Sequence, residues 1–160
     1  MTRIDSVSQS PDRSGRYLVK FSDGSTMRLY RQTVEDFRLY PGMELESLDA
    51  LRERNSRYSA KMRAVRIISA STVSKRDLET RLVRKGESEE QAKEVVKWLS
   101  DLNLVDDRQT ARQIVESCIR KGYGLQRAKQ ALYEKQIPKQ LWEEALEDYP
   151  DQTNAIVRLL

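Results

Sequence analysis

The second half of the chain reads the same way twice at a spacing of 50 residues, Ser74 to Gly124, and few folds accommodate that. Leu78 falls on Ala128, Leu82 on Leu132 and Lys85 on Lys135. Ser88 falls on Pro138, Ala92 on Trp142, Val95 on Ala145 and Val96 on Leu146. Upstream, Ala64, Val65 and Ile68 fall on Ile114, Val115 and Cys118. Identities are few, but apolar positions meet apolar positions and helix starts meet helix starts. A repeat of this length with only helical periodicities implies stacked helical units, each relying on a neighbour to cover its apolar face.

The punctuation divides each unit into helices. Ser74 with Asp77 marks a helix start, with Leu78 and Leu82 as its buried stripe, and Gly86 fits the left-handed position after a helix end. Ser88-Glu-Glu-Gln91 has capping-box spacing, followed by the stripe Ala92, Val95, Val96, Leu99 and Leu102, with Trp98 off its centre. Asp106 is an N-cap for the helix carrying Ala111, Ile114, Val115, Cys118 and Ile119, and Asp107 adds favourable charge there. Gly122 ends that helix and Gly124 opens the next, in which Leu125, Ala128 and Leu132 face inward. Pro138 takes an N1 position, and Leu141, Trp142, Ala145, Leu146 and Tyr149 mark a last helix.

Before the repeat, residues 1–43 have a different texture. Short alternating runs at Ile4–Val7, Tyr17–Phe21 and Met27–Tyr30 flank an Asp23-Gly24 pair, the pattern of a two-residue hairpin turn. Thr33 to Phe37 reads as one helical turn capped by Thr33. After Pro41-Gly42 a long helix is expected, with Leu48, Leu51, Tyr58, Met62, Val65 and Ile68 at three-or-four spacing and arginines and lysines elsewhere. The organisation expected is a β-hairpin-containing module over 1–43 and a long helix beginning repeat one over 44–73. The remainder of repeat one follows over 74–105, then repeat two over 106–149, and 150–160 opens a truncated third repeat. The fold class is mainly α: tandem three-helix repeats in a curved helical array behind a small β-rich module.

Composition narrows the chemistry. The 160 residues include no histidine and one cysteine. That removes His-based acid–base catalysis, Ser–His and Cys–His pairs and the usual zinc ligand sets. Cys118 lies on an apolar helix face, as a core thiol does, and no intramolecular disulfide is available. Paired carboxylates such as Asp106-Asp107 and Glu143-Glu144 suit capping and solvation rather than a metal. No glycine-rich phosphate loop is present. Apolar runs fall short of a membrane span and the start lacks a signal-peptide core, so the expectation is a soluble, cytoplasmic, non-enzymatic chain with no cofactor.

With 34% charged residues, mean hydropathy −0.74 and pI about 9.2, the chain permits an anionic partner. The basic excess gathers around Lys121-Gly122-Tyr123-Gly124: Arg112, Arg120, Lys121, Arg127, Lys129 and Lys135 bracket that turn, and only Lys139 and Arg158 are basic after Pro138. The bland reading is a helix cap and tight turn with a locally packed tyrosine. The functional one is a contact with acidic protein surface or nucleic-acid phosphate through Arg112, Arg120, Lys121, Tyr123, Arg127, Lys129 and Lys135.

The order Ser74…Asp77-Leu78…Leu82…Lys85-Gly86, then Val96…Leu99…Leu104-Val105-Asp106-Asp107…Ala111, then Lys121-Gly122…Gly124…Leu132…Ile137 resembles the RecX family of RecA recombinase regulators. The likeness covers roughly residues 58–160, and the hairpin module resembles an N-terminal extension of some members. Departures are Ser71-Thr72 in place of an arginine-containing segment, Gln109 in place of an aromatic, Gln136 in place of a glycine, and a third repeat that barely begins. The resemblance implies a monomeric inhibitor lying in the groove of the RecA–DNA filament, suppressing ATP hydrolysis, strand exchange and coprotease activity in recombination, DNA repair and the SOS response. The alternative is a stand-alone helical repeat that binds single- or double-stranded DNA and acts by competition. Neither implies a membrane.

Overall fold

The structure, a computed structural model, describes residues 1–150, which form two compact units, Met1–Arg63 and Ala64 onward. The start of a third repeat expected at 150–160 lies outside the described residues, apart from Pro150.

Unit one is an antiparallel four-stranded sheet with two helices. Its elements are β1 (Thr2–Val7), β2 (Arg16–Phe21), β3 (Thr26–Tyr30), α1 (Arg31–Asp36), β4 (Glu44–Leu45) and the first part of α2 (Asp49–Ala70), in sheet order β3-β2-β1-β4. Register places Ile4 against Phe21 and Tyr17 against Leu29, so the period-two alternation buries Ile4, Val19, Phe21 and Leu29 on one face with Leu39 and Leu51. The β2–β3 connection spans Ser22–Ser25 rather than two residues, with Ser22–Gly24 enclosed by the Phe21–Ser25 bond. Phe21 N–H bonds the Ser25 carbonyl, and Gly24, at φ +88°, bonds back to Phe21. That is a three-residue loop with a left-handed glycine.

Three other expectations change here. α1 starts at Arg31, and Thr33 is fully buried inside it rather than capping it, donating to Asn55 Oδ1 at 3.2 Å. The chain after Pro41-Gly42 first extends the sheet as β4, because Gly42 and Met43 bond the backbone of Ile4; α2 begins only at Asp49. On α2, Leu51 is buried but Met62 and Val65 are exposed, while Ala60 and Ala64 are at 0% exposure. Small side chains hold the packed face there, and a stripe drawn through the large ones misses it.

Two anchors in unit one join α2 to the rest. Asn55 Oδ1 accepts the Tyr30 N–H at 2.8 Å while its Nδ2 donates to the Arg28 carbonyl at 3.3 Å. Asp36 accepts from Tyr58 Oη at 2.6 Å and Arg54 at 2.9 Å, bonds that hold its carboxyl below the usual range, Tyr58 contributing most.

Unit two holds the repetition. α3 (Lys75–Arg84) and α4 (Glu89–Asp101) follow the end of α2. α5 (Asp107–Arg120), α6 (Leu125–Glu134), a 3-10 turn (Lys139–Leu141) and α7 (Trp142–Leu146) follow the same plan. The starts of α3 and α6, and the ends of α2 and α5, fall 50 residues apart. Repeat one buries Leu78, Leu82, Ala92, Val95, Val96 and Leu99; repeat two buries Ala111, Val115, Leu132 and Ile137, with Trp142, Leu141 and Tyr149 packed on them. Leu102 leaves the expected stripe: it is the C-cap of α4 and half exposed. Ser88 caps α4 by accepting the Gln91 N–H, but Gln91 Oε1 is buried without a partner, so the reciprocal half of the capping box is not made by that oxygen. Pro138 is the N-cap of the 3-10 turn rather than the first residue of an α-helix.

Helix ends repeat one geometry. After α3, α4, α5 and α6 the N–H two residues past the C-cap returns to the carbonyl three before it, as in Tyr123 to Cys118 at 2.9 Å. This needs a left-handed residue between them. Gly86 (φ +107°) and Gly122 (φ +74°) take it without strain, whereas Gln136 (φ +57°) and Asn103 (φ +59°) do so with a Cβ.

Backbone-directed bonds join the repeats. Ser74 Oγ accepts from Asp77 N–H at 3.0 Å and donates to the Lys135 carbonyl at 2.5 Å. Asp107 Oδ1 accepts the Lys75 N–H at 2.8 Å, and Thr110 Oγ1 donates to the Val73 carbonyl at 3.0 Å. One aspartate of the Asp106-Asp107 pair caps its own helix and the other caps α3.

Candidate partner-binding surface

The α5–α6 turn is built by its sequence. Lys121 is the C-cap of α5, Gly122 supplies the left-handed step, and Gly124 is the N-cap of α6 with no side chain to bond the first-turn amides. Tyr123 therefore sits between two backbone turns, half-buried. The Arg127 guanidinium lies 3.6 Å from its ring centroid and the Lys121 ammonium 5.8 Å. The negative ring face attracts both cations, so two like charges are held near one aromatic plane. The Tyr149 hydroxyl donates to the Tyr123 carbonyl, with the Gly124 carbonyl 3.4 Å away, tying the turn to the end of repeat two. Burial pushes the Tyr149 phenol up, which keeps that donor protonated.

The other expected site residues scatter. Arg120 is exposed in the last turn of α5, next in sequence to Lys121. Arg112 faces Glu144 of α7 at 3.9 Å, where Arg108 also approaches, so its charge is partly offset. Lys129 lines a groove with Glu143, Glu144 and Glu147, an acidic setting. Lys135 is the C-cap at the far end of α6, about 15 Å along the axis from its start, and its carbonyl is taken by Ser74. The turn thus assembles Lys121, Tyr123 and Arg127 with Arg120 beside them, and leaves Arg112, Lys129 and Lys135 elsewhere. Charge along the sequence marked all seven alike; contact with Glu144 and its neighbours separates them. Tyr149 was read only as a core position, and nothing in its spacing marks the bond to the turn. Among the described residues no group of three or more Cys, Asp or Glu is placed to hold a metal ion, and no helix is long and apolar enough to cross a membrane.

Residues 106–146 match the family model of the RecX second three-helix domain. A regulatory protein RecX of Oceanobacillus iheyensis is 29% identical over 158 residues, covering 94% of this chain. One of Prosthecochloris aestuarii is 34% identical over 88 residues, or 54% of the chain. The chain is similar to regulatory RecX proteins over these stretches. It spans 58% of the length of each of these two relatives. A solved structure of a regulatory protein RecX shares the fold at TM-score 0.67 and 22% identity, covering 94% of this chain and 75% of that one. The stretch similar to that domain model runs from the Asp106 cap to Leu146, so the Tyr123 turn lies inside it, while Tyr149 stands just beyond its end.

Proposed function

We propose that this chain is a non-enzymatic modulator of the RecA recombinase. It lies in the groove of the RecA–DNA filament and suppresses ATP hydrolysis, strand exchange and coprotease activity. The observation that carries the reading is the Lys121–Tyr123–Arg127 cluster on a braced turn within the RecX second three-helix domain. Aromatic and arginine side chains held rigid at a surface are the usual anchors of a protein interface, because little side-chain entropy is lost on docking. The likeness to RecX proteins supports the recombinase as partner; the cluster supplies cations for acidic filament surface.

The test is RecA-dependent ATP hydrolysis on single-stranded DNA. Added at substoichiometric amounts, the chain is expected to slow it, and Lys121→Glu with Arg127→Glu to weaken the effect about tenfold or more. Unchanged hydrolysis with the wild-type chain, at amounts equal to RecA, would refute the reading. The cations around an aromatic ring also fit a stand-alone DNA-binding repeat. Tight binding to bare DNA with a steep negative salt slope, and no binding to recombinase alone, would select that instead.

A further inference from the structure

A second charged surface lies away from the Tyr123 turn. Lys75 on α3 meets Lys93 and Lys97 on α4 around a cavity of about 360 Å³, with Glu79 between them. Glu79 and Lys93 also line the adjoining cavity of about 480 Å³, which adds Arg76 and Glu89. Arg76 in turn lines the next, of about 700 Å³, with Tyr133, Glu134 and Lys139. Because each cavity shares lining residues with the next, they form one strip from the α3–α4 groove of repeat one to the end of α6 in repeat two. Lys93, Lys97 and Lys139 make no ion pair among the described residues, and Tyr133 is 70% exposed.

We infer that this strip docks an extended, predominantly acidic polypeptide segment of the partner. The inference rests on the recombinase reading and names a surface of this chain that the reading leaves out. The charge order selects the occupant. A phosphodiester backbone carries uninterrupted negative charge and would run over Glu79, Glu89 and Glu134, which repel it. A polypeptide spaces its carboxylates to meet Lys75, Lys93, Lys97 and Lys139, and sets its own cations against the glutamates. Tyr133, an exposed aromatic at the end of the strip, supplies an apolar anchor of the kind interfaces favour. The bonds from Ser74 and Asp107 across the repeat junction fix both halves of the strip in one register.

The experiment measures co-sedimentation of the full chain with assembled RecA–single-stranded DNA filament, and separately binding to the bare oligonucleotide. Lys93→Glu with Lys97→Glu is expected to weaken filament binding about tenfold and leave oligonucleotide binding unchanged. Lys93→Gln with Lys97→Gln is expected to give a smaller loss in the same direction, with unchanged circular dichroism in both. Combined with Lys121→Glu, the losses multiply if the two surfaces act independently. Wild-type filament binding by both lysine pairs overturns the inference and leaves the recombinase reading standing. A parallel loss on the bare oligonucleotide also overturns it, in favour of nucleic acid. No filament binding by the wild-type chain removes both.

Discussion

Before α3 stands Ser74, whose hydroxyl caps the helix and also bonds the Lys135 carbonyl; at the matching place before α6 stands Gly124, with no side chain to give. After α3 comes Gly86 in the left-handed region, and after α6 comes Gln136. The third helix of repeat one runs 13 residues under a serine cap, whereas in repeat two a 3-10 turn and a five-residue helix replace it. In repeat one α3 and α4 start under their own serines, with Asp107 of repeat two adding a bond to the Lys75 N–H. In repeat two the turn is held instead by Tyr149, reaching in from the end of the unit. The two share a plan and differ in what enforces it: past α5, the helices that follow the cation–aromatic turn start without side-chain caps.

Core truncation tests that contrast with the largest effect. Leu82→Ala and Leu132→Ala remove matched, fully buried side chains, and each is expected to lower unfolding stability by about 2–5 kcal/mol in chemical denaturation. Only Leu132→Ala is expected to shift the emission of Trp142, which packs in the same cluster. Ser74→Ala comes next, at about 1–3 kcal/mol, because it removes a cap and leaves the Lys135 carbonyl unpaired. A loss as small as that of Ser88→Ala would show that the junction bond contributes nothing. Gln136→Gly reverses the sign: relief of the left-handed Cβ is expected to raise stability by about 0.5–1 kcal/mol, and Gly86→Gln to lower it by a similar amount.

Unit one sharpens the comparison through pH. Asp12 is held down to about 2, mainly by the Ser14 hydroxyl and then by the Arg16 N–H, and Asp36 is lowered chiefly by Tyr58. A carboxyl depressed on folding stabilises the native state above its unfolded value near 4, and that contribution fades as pH falls through the folded value. Acid unfolding followed at the sheet is therefore expected to set in between about pH 4 and 2. Asp12→Asn should flatten that limb, and an unaltered limb would rule Asp12 out.

Much of the helical plan was legible because it rests on local rules. Ser74, Ser88, Asp106, Gly86 and Gly122 announce caps through side-chain chemistry that acts within a few residues. Several misreadings share one cause, which is contact with distant chain. Thr33 carries the type of a cap, yet Asn55 draws it into the core. Pro41-Gly42 looks like a helix boundary, but pairing with Ile4 makes a strand edge first. On α2, apolar size pointed to Met62 and Val65 where alanines hold the face. At the candidate surface, charge along the sequence marked Lys121, Arg127, Arg112 and Lys129 alike, and only the fold sets the last two beside glutamates. Tyr149's role needed three dimensions altogether.

The amide of Asn55 has one further effect. By occupying the Tyr30 N–H and the Arg28 carbonyl, it fills the positions on the free side of β3 where another chain's strand would pair. A single side chain on a helix thus blunts a sheet margin that would otherwise template self-association.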